Sequence, residues 1–391
     1  MRERIHLKPE VLSTLHDAAE GQTPRIFRAP GRVNLVGEHT DYSGGFCMPA
    51  AINFETTIAA SPRTDRILKL HSVDFDDTVE VNLDNLPMDR QQHWSGYCIG
   101  TVWSLRQEGI AVPGATLTIT GNIPQGAGLS SSASLEVATT TAILALAGDS
   151  LTGPQIAKVC QRAENDYVGA PVGIMDQFIS ANGKAGSAMV LDTRALTFEL
   201  APIPSHLRLV IANSMVRHSF SDGGAYSTRR REVEEGTDAL SAYKPEIKLL
   251  RDATLDDLIA CEGKMSPDAF KRCRHVITDS QRVLDGMELL RAGEIVSFGK
   301  LLNDAHRSYR DDFEASCKEC DILAAIAQAQ PGCYGARLTG GGFGGCIVTL
   351  VEAEASDGFV KAIQAEYLSQ TGIAADVYVC STADGAGELK A

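Results

Sequence analysis

TLTITGNIPQGAGLSSSASLEVATTTAILALAG, residues 116–148, is the stretch that decides the class of this chain. Residues 116–120 alternate polar and apolar side chains, the period of a half-buried strand. Residues 135–147 are rich in Ala and Leu and read as a helix closed by Gly148 at the C′ position. Between them, Gly126, Ala127 and Gly128 let backbone N–H groups approach an anion with little Cβ obstruction. Leu129 leads into Ser130, Ser131 and Ser132, which stand at the helix start. There the first N–H groups lack partners and the dipole favours negative charge. Two readings stay open at this point: a cradle for a di- or triphosphate, or a glycine turn followed by a serine N-cap. No G-x-x-x-x-G-K-[ST] occurs, which argues against a P-loop NTPase.

Working outward, Ile156, Val159, Cys160, Ala163 and Tyr167 fall at i, i+3, i+4, i+7 and i+11, an amphipathic helix. Strands are expected at 207–212, 346–351 and 377–380, and helices at 228–243, 267–292 and 295–309. Ser266 and Pro267 supply an N-cap and a first helical residue for the middle helix. The alternation is irregular and lacks a βαβ rhythm. The expectation is an α+β chain of two domains, 1–200 and 201–391, joined in the APIPS segment at 201–205.

Composition sets the outer limits. The 391 residues leave room for two domains with real cores. A hydrophobic fraction of 44% and a charged fraction of 22% are those of an ordinary globular protein. With 36 Lys+Arg against 50 Asp+Glu the net charge is −14, which argues against a nucleic-acid partner. The basic runs at 229–231 and 271–275 read as solvated helix faces. The N-terminal residues mix charges and lack a signal-peptide core, and no apolar run approaches the roughly 18 residues that span a bilayer. A cytoplasmic monomer with no membrane partner is expected. Its ten cysteines read mostly as buried thiols, and the one C-x-x-C, Cys317 and Cys320, has no second pair to complete a zinc site.

Two further motifs carry chemistry. GGGFGG at 340–345 formally satisfies G-x-G-x-x-G, but the β-rich CIVTLV follows instead of a helix, so a dinucleotide fingerprint is rejected. So many glycines cost chain entropy, which favours a loop lining a ligand over one that only packs closely. RVNLVGEHTDY at 32–42 crowds Glu38, His39 and Asp41 among glycines. Such a cluster can read the hydroxyl rim of a sugar, or form a salt-bridged surface loop.

APGRVNLVGEHTDYSGG (29–45), PQGAGLSSSAS (124–134), GIMDQF (173–178) and GARLTGGGFGGC (335–346) occur in that order. Together they resemble the galactokinase family of the GHMP small-molecule kinases, over most of the chain from about Ile26 onward. The serine–glycine loops are shared across the superfamily, whereas GEHTDY resembles the sugar signature of galactokinases alone. The resemblance implies a ribosomal-protein-S5-like N-terminal domain and a ferredoxin-like C-terminal domain. It implies ATP-dependent phosphorylation of α-D-galactose at its anomeric hydroxyl, the first committed step of galactose catabolism. It assigns Glu38, His39, Thr40, Asp41, Gly173 and Tyr226 to the sugar. Gly126, Ala127, Gly128, Leu129, Ser130, Ser131 and Ser132 would cradle the phosphates, with Ser72 and Trp94 on the adenosine side. Ser132 and Glu164 would hold Mg²⁺, and Asp176 and Arg32 would be the catalytic pair.

The chain departs from the family pattern at Val172, where relatives carry Cys, at Ser43, where Asn is common, and at Gly223–Ala225 before Tyr226. Two rival readings share these motifs: an N-acetylgalactosamine or other hexose 1-kinase, and a regulator that keeps the ligand sites without catalysis. GLSSSAS, Glu164 and Asp176 are all present, which favours the catalyst.

Overall fold

The computed structural model describes residues 24–87, 93–217 and 224–389. Gly223 and the ends of the two expected domain ranges, 1–23 and 390–391, lie outside the described residues. The first half begins with β1 (Arg25–Asn34), β2 (Phe46–Cys47), β3 (Pro49–Arg63), β4 (Ile67–Ser72) and β5 (Asp77–Asn82). Helix α1 (Trp94–Gln107), β6 (Gly114–Gly121), α2 (Ser131–Ala147), α3 (Gly153–Arg162) and α4 (Met175–Asn182) follow, then β7 (Ser187–Asp192) and β8 (Thr197–Pro202).

Phe27, Ile58, Leu70 and Leu117 of the strands close against Val102 of α1 and Val137 and Ile143 of α2. Each such side chain, once buried, stabilises the fold by roughly 1.5–3 kcal/mol. The 116–120 stretch is strand as expected, but it is not half-buried. It is an interior strand paired with β3 on one side and β4 on the other, so Thr116 and Thr118 are enclosed as well.

The second half holds β9 (Leu207–Arg217), α5 (Gly224–Tyr243), α6 (Leu255–Ala260), α7 (Pro267–Ala292), α8 (Ile295–Asp311) and α9 (Lys318–Ala329). It ends with β10 (Cys333–Leu338), β11 (Gly344–Glu352), α10 (Ser356–Thr371), β12 (Asp376–Cys380) and β13 (Gly387–Leu389). The antiparallel order β10-β11-β9-β12 is the ferredoxin-like arrangement. α9 and α10 cover one face of this sheet through Leu323, Phe359 and Ile363. The other face, with Leu209, Ile211 and Val348, packs on Val33, Leu35 and Met48 of the first half and on Phe298 and Leu302 of α8.

The chain also returns past its expected join. β13 pairs with β1 at the edge of the first sheet, giving the order β13-β1-β3-β6-β4-β5. A short third sheet, β2-β7-β8, closes the side.

α7 starts as expected, with Ser266 accepting the Ala269 N–H at 3.1 Å. The 271–275 run, however, is not a solvated face. Arg272 and His275 are buried, because acids converge from neighbouring segments: Arg272 donates to Glu232 (2.7 Å) and to Glu314 (2.9 Å). Charge pattern alone could not show that neighbours would neutralise it. All ten cysteines are free thiols, and all but Cys317 and Cys333 are buried.

Candidate active site

The serine at the start of α2 does not make the capping bond that one of the two phosphate-loop readings requires. Ser130 is the N-cap residue, but its φ of 60° is left-handed and its side chain makes no capping bond. Its hydroxyl instead donates to Asp176 Oδ2 at 2.5 Å. The first turn of α2 carries no acidic residue. A helix start left uncapped by its own serine, with no acid in its own first turn, suits an anion. Residues of 126–132 line a cavity of ≈ 630 Å³ together with Arg32, Tyr97, Asp176 and the glycines at 340–345.

Arg32 follows an irregularity in the β1–β3 ladder. The register with β3 shifts between Pro30 and Arg32, a bulge of the kind that re-aims a side chain. Its guanidinium grips Asp176 through two bonds, Nε to Oδ1 at 2.8 Å and Nη2 to Oδ2 at 2.6 Å, while Nη1 donates to the Gly128 carbonyl at 2.6 Å. Burial works against the Arg32 charge, yet Asp176, Glu38 and Asp41 more than offset it and its pKa is raised. Asp176 lies in the first turn of α4, where the dipole favours a carboxylate. It remains 28% exposed, so it opens to the cavity while its partner is enclosed.

A second cavity of ≈ 320 Å³, at the small end for small-molecule sites, adjoins the first. Glu38, His39, Asp41, Gly173 and Tyr226 line it, and it shares Arg32, Asp176, Gly340 and Gly341 with the larger one. Glu38 Oε1 accepts the Gly340 N–H at 2.9 Å, and burial pushes its carboxyl pKa up. Asp41 keeps an edge on the cavity. Burial, then the charge of Asp176, pushes its pKa up to about 6. A Cβ on Gly173 would lie 1.5 Å from Asp41 Oδ2, so only glycine admits this carboxylate.

The expected sugar contacts divide once the geometry is seen. The His39 ring is already engaged, with Tyr42 OH 3.1 Å from Nδ1 and Tyr309 OH 3.0 Å from Nε2. Tyr309 donates its own proton to the Gly340 carbonyl at 2.9 Å, so it accepts from Nε2–H and leaves Nδ1 to accept from Tyr42. Burial lowers the pKa of His39 to about 3, and the neutral ring forms a wall stacked on Phe313. Thr40 is absent from the lining. Its hydroxyl lies 2.9 Å from the Gly37 carbonyl and 2.7 Å from that of Phe46, which braces the loop from inside.

Ser72 and Trp94 line a third cavity of ≈ 560 Å³, which meets the 126–132 loop at Gly126, Ser131 and Ser132. Phe75, Tyr97 and Asn122 belong to the same lining and were missed from sequence, since no motif marks them. Glu164 sits in a π-helical turn, Ala163–Val168, that continues α3, a distortion frequent at functional sites. Its carboxylate accepts from Gln177 Nε2 at 2.6 Å and from the Ser132 hydroxyl. Glu136, fully buried beside them, was also missed. Its position in a helix rich in Ala and Leu gives no signal.

The glycine loop does both things that glycines can do. Gly340 and Gly341 line both cavities, whereas at Gly342 (φ +86°) a Cβ would meet the Ala315 carbonyl at 2.5 Å.

Comparison with known proteins is consistent throughout. Residues 14–62 match the galactokinase galactose-binding signature, 96–184 the GHMP kinases N terminal domain and 287–368 the GHMP kinases C terminal domain. A galactokinase from Chloroflexus aggregans is 43% identical over 378 residues, 96% of this chain and 97% of its own. One from Roseiflexus sp. is 41% identical over 364 residues, 93% of each chain. The crystal structure of Lactococcus lactis galactokinase complexed with galactose superposes with a TM-score of 0.92 at 34% identity, over 97% of this chain and 100% of that one. A Methanococcus jannaschii mevalonate kinase, at TM-score 0.64 and 21% identity over 93% of this chain and 99% of its own, shares the fold.

Proposed function

The chain belongs to the galactokinase family of the GHMP kinases and phosphorylates galactose from ATP, and we propose that the residues converging on Arg32 and Asp176 carry out that reaction. The observation that carries this reading is the meeting of the two cavities at that pair. A hexose on one side and a phosphate chain on the other would meet at the wall both cavities share, which Arg32 and Asp176 form with Gly340 and Gly341.

On the sugar side, Asp41 and Glu38 accept hydroxyl protons, Gly173 and Tyr226 close the rim, and His39 supplies an apolar wall. On the other side, the N–H groups of 126–132 and the serine hydroxyls hold the phosphates, with Ser72 and Trp94 flanking the nucleoside. Asp176 receives the proton of the anomeric hydroxyl. Arg32 faces the charge that develops on the transferred group. The product is galactose 1-phosphate.

A divalent cation fits this site. Glu164 and Ser132 are oxygen donors, and the neighbouring Glu136 Oε1 and Gln177 Oε1 are buried without a hydrogen-bond partner. Among the described residues no three His, Cys, Asp or Glu side chains gather as a metal cage. A cation here would therefore complete its shell with phosphate oxygens and water, as Mg²⁺ does. Bound Mg²⁺ neutralises β- and γ-phosphate charge, and Ser132 and Glu164 would hold it. Glu164→Gln should then weaken binding of Mn²⁺, read by electron paramagnetic resonance in the presence of ADP. Unchanged Mn²⁺ affinity would remove Glu164 from the metal site.

The raised pKa of Asp41 also makes a pH prediction. Above about 6 its carboxylate accepts hydroxyl protons; below, it is protonated and loses that capacity. kcat/KM for galactose reports the free enzyme, so it should fall about tenfold per pH unit on the acid side. Asp41→Asn should remove the Asp41 part of that limb, leaving that of Glu164, whose pKa burial pushes up to about 7. A wild-type profile flat to pH 5 contradicts the assignment.

Monomeric state, cytoplasmic location and the 1–200 and 201–391 division, with β13 returning to the first sheet, complete the proposal. The charge of −14 supports the absence of a nucleic-acid partner. No helix among the described residues is long and apolar enough to cross a membrane. A hexose panel at saturating Mg-ATP, scored for phosphate transfer, tests the function. Equal turnover of galactose and glucose would defeat the specificity.

A further inference from the structure

The loop that reads the sugar is braced from inside by Thr40, and it is also held from outside. Gly37 (φ 91°) and His39 (φ 60°) are both left-handed, so the turn bearing Glu38 is a conformation that an L-residue such as histidine rarely adopts unaided. Contacts from outside the motif add to the Thr40 brace in selecting it. Asp279, on α7 of the second half, accepts the Gly37 N–H and the Glu38 N–H on one oxygen, Oδ2, at 2.9 Å each. The next residue, Ser280, accepts the Phe46 N–H at 3.1 Å, at the far end of the same loop. Two adjacent side chains of one rigid helix thus hold both ends of 37–46.

Asp279 is 0% exposed, and neither it nor Ser280 lines the cavity that Glu38 and Asp41 face. His275 beside Asp279 is kept neutral by burial, while the carboxylate charge is supported from its own helix by Arg282, whose Nη1 lies 3.2 Å away. From β10 it is supported by Arg337, which donates to the Leu35 carbonyl at 3.0 Å and stands 3.6 Å from Glu38 Oε1. The carboxylate that orders the backbone and the cation beside Glu38 therefore belong to one buried group. Two N–H groups on one carboxylate oxygen fix the direction in which the Glu38 side chain leaves the chain. Glu38 then spans to the N–H of Gly340, one of the two glycines shared by both cavities.

We infer that Asp279 and Ser280 are positioning residues that set galactose affinity by holding the two ends of the sugar loop from the second half of the molecule. This rests on the functional reading above. A merely structural role would lower the melting temperature with both Michaelis constants unmoved, or raise both together. A positioning role for the sugar loop raises only one.

The test is the pair Asp279→Asn and Ser280→Ala in the full chain, with KM for galactose and for ATP, kcat and the melting temperature of each. Asp279→Asn keeps shape and an acceptor but loses the charge; galactose KM should rise about tenfold, with ATP KM and kcat within about twofold. Ser280→Ala removes one neutral bond and should raise galactose KM about two- to threefold. Should Asp279→Asn fail to fold, Ser280→Ala decides alone. An active wild type with galactose KM unshifted in the folded variants, or shifted equally with that of ATP, overturns the inference. A wild type inactive on galactose would instead sink the functional reading itself.

Discussion

Asp176→Asn is expected to lower kcat by roughly 10²–10⁴, the range for loss of a general base, while galactose affinity is largely retained. The substitution keeps the size and the acceptor oxygen but removes the charge. Arg32 would keep one of its two bonds to this side chain, and the Ser130 hydroxyl could still donate. On the proposed reading, what disappears is the group that receives the proton of the attacking hydroxyl. Single-turnover and steady-state rates would be measured at saturating galactose and Mg-ATP, with calorimetry for sugar binding. Near-normal kcat in a folded Asp176→Asn protein would take Asp176 out of the chemistry and leave Arg32 as the main stabiliser.

The second large effect belongs to Asp41. Asp41→Ala should raise KM for galactose by about 10² or more, since hydrogen bonds to a charged group contribute about 1.5–3 kcal/mol each and hydroxyls are left unpaired in a closed site. ATP binding should barely change, because Asp41 lines the small cavity and not the one at the phosphate loop. Isothermal titration with galactose and with ADP separates the two. Equal weakening of both ligands would point to a collapsed loop. Gly173, which leaves room for this carboxylate, makes the same point in reverse, since a side chain there would occupy the Asp41 position.

Much of the local architecture was legible in the sequence because local signals were strong and mutually consistent. Ser266 and Pro267 started α7, Gly148 ended α2, and the apolar periods located β9, β11 and β12. Where reading failed, a neighbour was the cause. The enclosed threonines of β6 needed knowledge of its place between β3 and β4, and buried Arg272 needed Glu232 and Glu314. The π-helical turn at Glu164 and the two-residue register shift before Arg32 are local adjustments that leave no periodic trace.

By itself, the sequence determined the family, the α+β class, the loops that border the candidate site and most of the side chains proposed within it. These depend on short-range chemistry: which residues tolerate positive φ, which can start a helix, which present charge. Only the tertiary structure decided what each polar group does once inside. It directed the Ser130 hydroxyl to Asp176 in place of the helix N–H groups, tied up both nitrogens of His39, turned Thr40 inward, and brought Asp279 and Ser280 to a loop about 240 residues away. The physical reason is that a buried polar atom must find a partner, and the partner available is set by packing across the chain, not by its neighbours in sequence.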